Sequence, residues 1–171
     1  KYADMFGLSE KSGVEIYETE PNVSHIYPVP SAIGQGEHAY TTIGLNRYIT
    51  AVANNGTVYN LTLLDKVVDS NGTLIRDNHA EVRNTIEIPD AYWNSVHEGL
   101  KKVVEGKAYF KELPVTAAGK TGTAQESKKR ANHALFICYA PYESPQISAS
   151  AKIMNGYASD YAAQLTKDVL A

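Results

Sequence analysis

The sequence predicts an α+β fold, an antiparallel sheet flanked by helices, and three observations carry that reading. Residues 115–154 hold three strand-like runs separated by short polar or proline-bearing turns, the pattern of a β-meander. Amphipathic helical spacing stands before the meander, at 42–54 and 90–106, and again after it, at 159–170. No internal repeat or low-complexity segment breaks this order. A chain of 171 residues is long enough for one domain with a sizeable core, or for a large piece of a bigger one.

Each element follows from local chemistry. Residues 1–8 read as the end of a helix, with Gly7 near its stop. Residues 9–31 are rich in Pro, Gly, Ser, Thr and Glu and form a long irregular connection, the kind of loop that is often functional. Ile33-Gly34-Gln35-Gly36 makes a glycine-flanked turn. Leu45, Tyr48, Ile49 and Val52 define the buried face of the first strong helix, with Thr41 or Thr42 as N-cap and Asn55-Gly56 as its stop. Residues 57–68 turn β-like, Asn71-Gly72 suits a hairpin, and residues 73–76 return as its partner. Pro89-Asp90 opens a helix whose inner face is Trp93, Val96, Leu100, Val103 and Val104, and Gly106 ends it. Strands follow at 115–125, 133–140 and 146–154, the last with Ile147, Ala149, Ala151 and Ile153 on one side. Ser159 or Asp160 caps a final helix with Tyr161, Ala162, Leu165 and Val169 facing inward.

Composition narrows the function. The hydrophobic fraction of 43% and charged fraction of 20% are those of a folded globular protein. Net charge is −3, and Lys128-Lys129-Arg130 is the one local basic cluster, so nucleic-acid binding is not expected. Cys138 is the single cysteine; it lies in an apolar run, which excludes an internal disulfide and favours a buried, inert thiol. The five histidines have no ligand spacing, and no metal or cofactor is expected. No apolar run approaches the roughly 20 residues of a membrane span.

One short motif carries chemistry. Lys120-Thr121-Gly122-Thr123 follows the small-residue approach Thr116-Ala117-Ala118-Gly119 on an extended strand. Lys120 offers a positive field for a carboxylate. Thr121 and Thr123, two residues apart, offer hydroxyl donors on one face. Gly122 lets a ligand backbone come close. Taken alone, a strand lysine beside Thr-Gly-Thr is more often a solvated edge than a site. Other fragments imitate motifs and fail. Gly119-Lys120-Thr121 resembles the end of a phosphate loop, but the glycine required earlier is Pro114. Tyr92-Trp93-Asn94 sits in the first turn of a helix. His97-Glu98 begins like a zinc helix, but the second histidine position is Lys101. His133 reads as a structural strand-start residue.

Lys-Thr-Gly is the third motif of penicillin-binding proteins and class A β-lactamases, beside Ser-x-x-Lys and Ser-Asp-Asn. An ordered set of segments resembles more specifically the transpeptidase domain of class B penicillin-binding proteins. These are residues 6–13, Ile33-Gly34-Gln35-Gly36, the helix end Ala53 to Tyr59, Gly119 to Gln125, and His133-Ala134-Leu135-Phe136 leading to Ala140-Pro141. No serine here has Lys three positions on, or Asn or Asp two positions on. The resemblance therefore implies that residues 1–171 are the C-terminal part of a single transpeptidase domain whose nucleophile-bearing part lies before Lys1. It implies the penicillin-binding protein and serine β-lactamase-like fold, and a serine acyl transfer that cross-links stem peptides ending in D-Ala-D-Ala and is blocked by β-lactams. Lys120 and the N–H of Thr123, one half of an oxyanion hole, are its catalytic contributions. Lys120, Thr121, Gly122 and Thr123 bind substrate. It further implies a place on the outer face of the bacterial membrane, an anchor upstream, and partners in the cell-wall synthesis machinery. A β-lactam sensor or hydrolase of the same fold, and a non-catalytic binding module that has lost the serine, are the alternatives. Upstream sequence separates the enzyme from the module, since the enzyme requires Ser-x-x-Lys and Ser-x-Asn there; hydrolysis would further require a residue that activates a deacylating water, and none here can be assigned that job.

Overall fold

The computed structural model describes residues 1–171, and its elements run α1 (Tyr2–Met5), α2 (Pro28–Ala32), α3 (Thr42–Ala53), β1 (Thr57–Asn60), β2 (Lys66–Val68), β3 (Leu74–Asp77), β4 (Glu81–Thr85), α4 (Asp90–Glu105), a 3₁₀ turn (Ala108–Glu112), β5 (Ala118–Ala124), β6 (His133–Ala140), β7 (Ile147–Ile153) and α5 (Ser159–Leu170). The fold is α+β. The meander forms as expected, an antiparallel sheet in the order β5-β6-β7.

β6 is the middle strand, and its alternation serves both faces. Ala134, Phe136, Cys138 and Ala140 point to one side, where they meet Ala162 and Ala163 of α5 together with Val104 and Phe110. Tyr139 points to the other side, where it meets Ile49 and Val52 of α3 and Ala118 of β5. The sheet is thus sandwiched between α5 and α3. A third cluster, Ala51, Val58, Ile86 and Trp93, joins α3 to β1 and to the start of α4.

Local signals hold where they are strong. Thr41 caps α3, its Oγ1 accepting the Gly44 N–H at 3.0 Å. Asn71-Gly72 turns the β2–β3 hairpin. Four expectations need correction. Residues 61–65 are not strand; β1 is short and pairs instead with β4, which the sequence reading missed because Glu81-Val82-Arg83-Asn84-Thr85 is polar and mostly exposed. Residues 28–32, placed in the irregular stretch, form a short helix started by Pro28 at its first position. On α4, Val96 is exposed and His97 and Lys101 join the inner stripe of Trp93, Leu100, Val103 and Val104. On α5, Tyr161, Leu165 and Val169 are exposed, whereas Ala162, Ala163 and Thr166 are buried. Small side chains let α5 lie close on the sheet, and that closeness outweighs the larger apolar stripe.

Candidate active site

β5 has β6 on one side and a free edge on the other. Its register with β6 pairs Lys120 with Ile137, Thr121 with Phe136, Gly122 with Leu135 and Thr123 with Ala134. In an antiparallel ladder, the N–H and C=O of one residue point the same way, and successive residues alternate between partner and edge. The Thr121 carbonyl accepts from Lys120 Nζ at 2.8 Å, and the Thr123 carbonyl accepts from Gln35 Nε2 at 3.1 Å. Both carbonyls therefore face the open edge, and the N–H groups of Thr121 and Thr123 face it with them.

Side chains alternate the other way. Thr121 and Thr123 share a face with Phe136 and Ala134, toward α5, so the two hydroxyls lie on one side of the strand as the spacing predicts. Lys120 and Gly122 lie on the α3 face. An ammonium from one face and hydroxyls from the other converge only around the free edge. Lys120 and Thr123 are exposed, and Thr121 and Gly122 half-buried.

Gly119, the last of the small-residue approach, is the glycine that close packing requires. A Cβ there would stand 2.5 Å from Phe136 Cζ and 2.7 Å from the Ile137 carbonyl oxygen. At Gly122 the nearest atom would be Leu135 Cβ at 3.3 Å. Gly119 seats β5 on β6, and Gly122 leaves the surface before the edge low.

Three polar clusters fix the frame. His133 accepts the Asn155 N–H at Nδ1, 3.0 Å away, so its proton is on Nε2 and is donated to Glu126 Oε2 at 2.9 Å. This clamps the turn between β5 and β6 and gives His133 the structural role expected of it. His97 bonds Tyr139 Oη at 2.6 Å and Asn55 Oδ1 at 2.7 Å, and burial lowers its pKa, which favours the neutral ring. The third cluster centres on Arg47, which is 1% exposed. Its guanidinium donates to the carbonyls of Tyr59, Gly7 and Lys11, to Asn60 Oδ1 and to Glu10 Oε1. Burial pushes the thiol of Cys138 up to about 12, as an inert core cysteine requires. Tyr92 and Asn94 are exposed on the first turn of α4, while Trp93 is buried.

Residues 1–171 match the family described as the penicillin binding protein transpeptidase domain. The chain belongs to that family. Among curated relatives it is 28% identical over 172 residues to penicillin-binding protein 2A of Bacillus subtilis, covering 87% of this chain and 24% of the relative. It is 26% identical over 163 residues to the peptidoglycan D,D-transpeptidase MrdA of Escherichia coli, covering 83% and 25%. The chain spans about a quarter of the length of these class B relatives. Penicillin-binding protein 2B of Streptococcus pneumoniae superposes with a TM-score of 0.85 at 23% identity, over 98% of this chain and 30% of that one. Penicillin-binding protein A of Mycobacterium tuberculosis, solved as an imipenem acyl-enzyme complex, superposes at 0.84 with 21% identity, over 98% and 39%. A chain from a structure of a peptidoglycan synthase complex superposes at 0.79 with 25% identity, over 98% and 31%. These likenesses establish the transpeptidase fold for this member of the penicillin-binding family.

Proposed function

We propose that residues 1–171 form the C-terminal part of the transpeptidase domain of a peptidoglycan D,D-transpeptidase, with the nucleophilic serine supplied by a part of the same protein outside this chain. The observation that carries the reading is the free edge of β5, where the outward N–H groups of Thr121 and Thr123 lie beside an exposed Lys120. Incomplete burial supports it too. Only 26 of 171 residues are buried, the outer edge of β7 is unpaired, and Tyr161, Leu165 and Val169 leave an apolar stripe open on α5. A further layer of the same domain would cover these surfaces.

In this reading an extended peptide ending in D-Ala-D-Ala lies along β5 as an added strand. Its terminal carboxylate is held by Lys120, Thr121 and Thr123. The serine oxygen attacks the penultimate carbonyl, and the charge that develops on the carbonyl oxygen is stabilised by the Thr123 N–H and by the serine's own N–H. Losing one such donor typically slows the reaction about 10²–10³-fold. D-alanine leaves with a proton, and the amine of a second stem peptide takes the acyl group. β-Lactams present the same carboxylate and carbonyl and stop at the acyl-enzyme. The reaction takes place outside the cytoplasmic membrane, where peptidoglycan lies. No helix of this chain is long and apolar enough to cross a membrane. The related chain in a peptidoglycan synthase complex supports partners in cell-wall synthesis.

Fluorescent penicillin tests the proposal. The complete protein is expected to be covalently labelled, and residues 1–171 alone are not. Labelling of the isolated segment would put the nucleophile inside this chain and overturn the assignment.

A further inference from the structure

The free edge of β5 is not bare. Its two outward carbonyls, Thr121 and Thr123, already hold hydrogen bonds from side chains. The donor on Thr123 comes from far away in sequence, from Gln35 in the loop between α2 and α3. Because the acceptor is a carbonyl, the amide group aimed at it is the nitrogen. Gln35 is presented by a loop built for the purpose. Its own N–H donates to the Pro30 carbonyl at 2.8 Å. Gly34 and Gly36 on either side adopt φ of +76° and +106°, in the left-handed region that glycine enters freely. A two-bond bridge between Asn22 and Ala39 closes the base of the loop.

An extended ligand that adds to this edge pairs with Thr123 through one of its own N–H groups. Gln35 Nε2 occupies that position. We propose that Gln35 stands in for the ligand's N–H on the Thr123 carbonyl and is displaced when a ligand with that N–H binds, so that it competes with the N–H and narrows the advantage of acyl donors that supply one over those that do not. The inference rests on the transpeptidase reading above and adds to it a side chain that broadens the range of donors. It also explains how an edge strand that must accept a ligand avoids pairing with other strands while empty: its carbonyls are covered by groups that can leave. Gln35 trades one hydrogen bond for another, so its net effect is modest for a matching ligand. For a ligand without the N–H, displacement strands the carbonyl, and the ligand binds with Gln35 left in place.

The test uses the complete protein and two penicillins that differ only at the side-chain amide nitrogen, N–H in one and N-methyl in the other. Second-order acylation rates are measured for the wild type, Gln35→Ala and Gln35→Glu. The ratio of the two rates is taken within each preparation, so the folded fraction cancels. With the competitor removed, the N–H to N-methyl ratio is expected to rise about two- to ten-fold in Gln35→Ala, the worth of one net hydrogen bond. Gln35→Glu has no donor at neutral pH, and its ratio is expected to rise as well. A ratio that stays the same or falls in both variants overturns the role of Gln35. Failure of the wild type to be acylated by either penicillin overturns the functional reading instead.

Discussion

Lys120 tests the chemistry of the edge at the scale of one residue. Its ammonium is exposed and bonds only the neighbouring carbonyl, so it adds little to folding. Lys120→Ala in the complete protein is expected to slow acylation by about 10² or more, the scale of losing a group that stabilises developing charge. The melting temperature should stay within error of the wild type; a large drop in melting temperature with normal acylation would make the lysine structural. Gly119 tests the opposite role. Its missing Cβ is what allows Phe136 and the Ile137 carbonyl to approach, so Gly119→Ala is expected to destabilise by about 1–3 kcal/mol through overpacking. Gly122→Ala, with its nearest neighbour at 3.3 Å, should lose less. Equal losses in thermal unfolding would refute this account of the two glycines.

Elements are held in register by buried polar groups. Arg47 of α3 ties β1 to the segment after α1 through five acceptors, and a lysine presents its donors from a single point and cannot span them. Arg47→Lys is expected to cost about 3 kcal/mol in denaturant unfolding, and a loss below about 0.5 kcal/mol would contradict the role. Glu18 joins the same N-terminal segment to the cap of α3. Burial raises its pKa, but hydrogen bonds from Thr41 Oγ1 and from the N–H and hydroxyl of Ser12 outweigh burial and leave the folded value below 4.5. A carboxylate with a lowered folded pKa stabilises the fold fully above its unfolded value and loses that contribution as pH falls through the folded one. Unfolding free energy should therefore fall below about pH 4.5 more steeply in the wild type than in Glu18→Gln; identical acid profiles would remove Glu18 from the account. These two residues also mark what the sequence could not disclose. Thr41, Asn71-Gly72 and the alternation of β7 act locally and were legible. The burial of Arg47 depends on carbonyls as far away as Gly7, and the inner face of α5 was decided by fit against the sheet rather than by its larger apolar residues. Lys120, Thr121, Gly122 and Thr123 could be picked out by motif. Gln35 lies in the legible turn Ile33-Gly34-Gln35-Gly36, but its contact with Thr123 spans 88 residues and has no local signature.

The molecule is built on a three-stranded sheet between two helical layers, with two small two-stranded sheets beside it and one edge of β5 left unpaired. In the function proposed above, this chain acts with a further part of its protein. The central claim is that β5 receives the acyl donor along its outer edge. A crystal structure of the complete protein acylated by a penicillin tests this most directly. The expected adduct places the acyl carbonyl oxygen about 2.7–3.1 Å from the Thr123 nitrogen, with the ligand carboxylate beside Lys120, Thr121 and Thr123. An adduct lying elsewhere, with the edge of β5 still covered by Gln35 and Lys120, would contradict it.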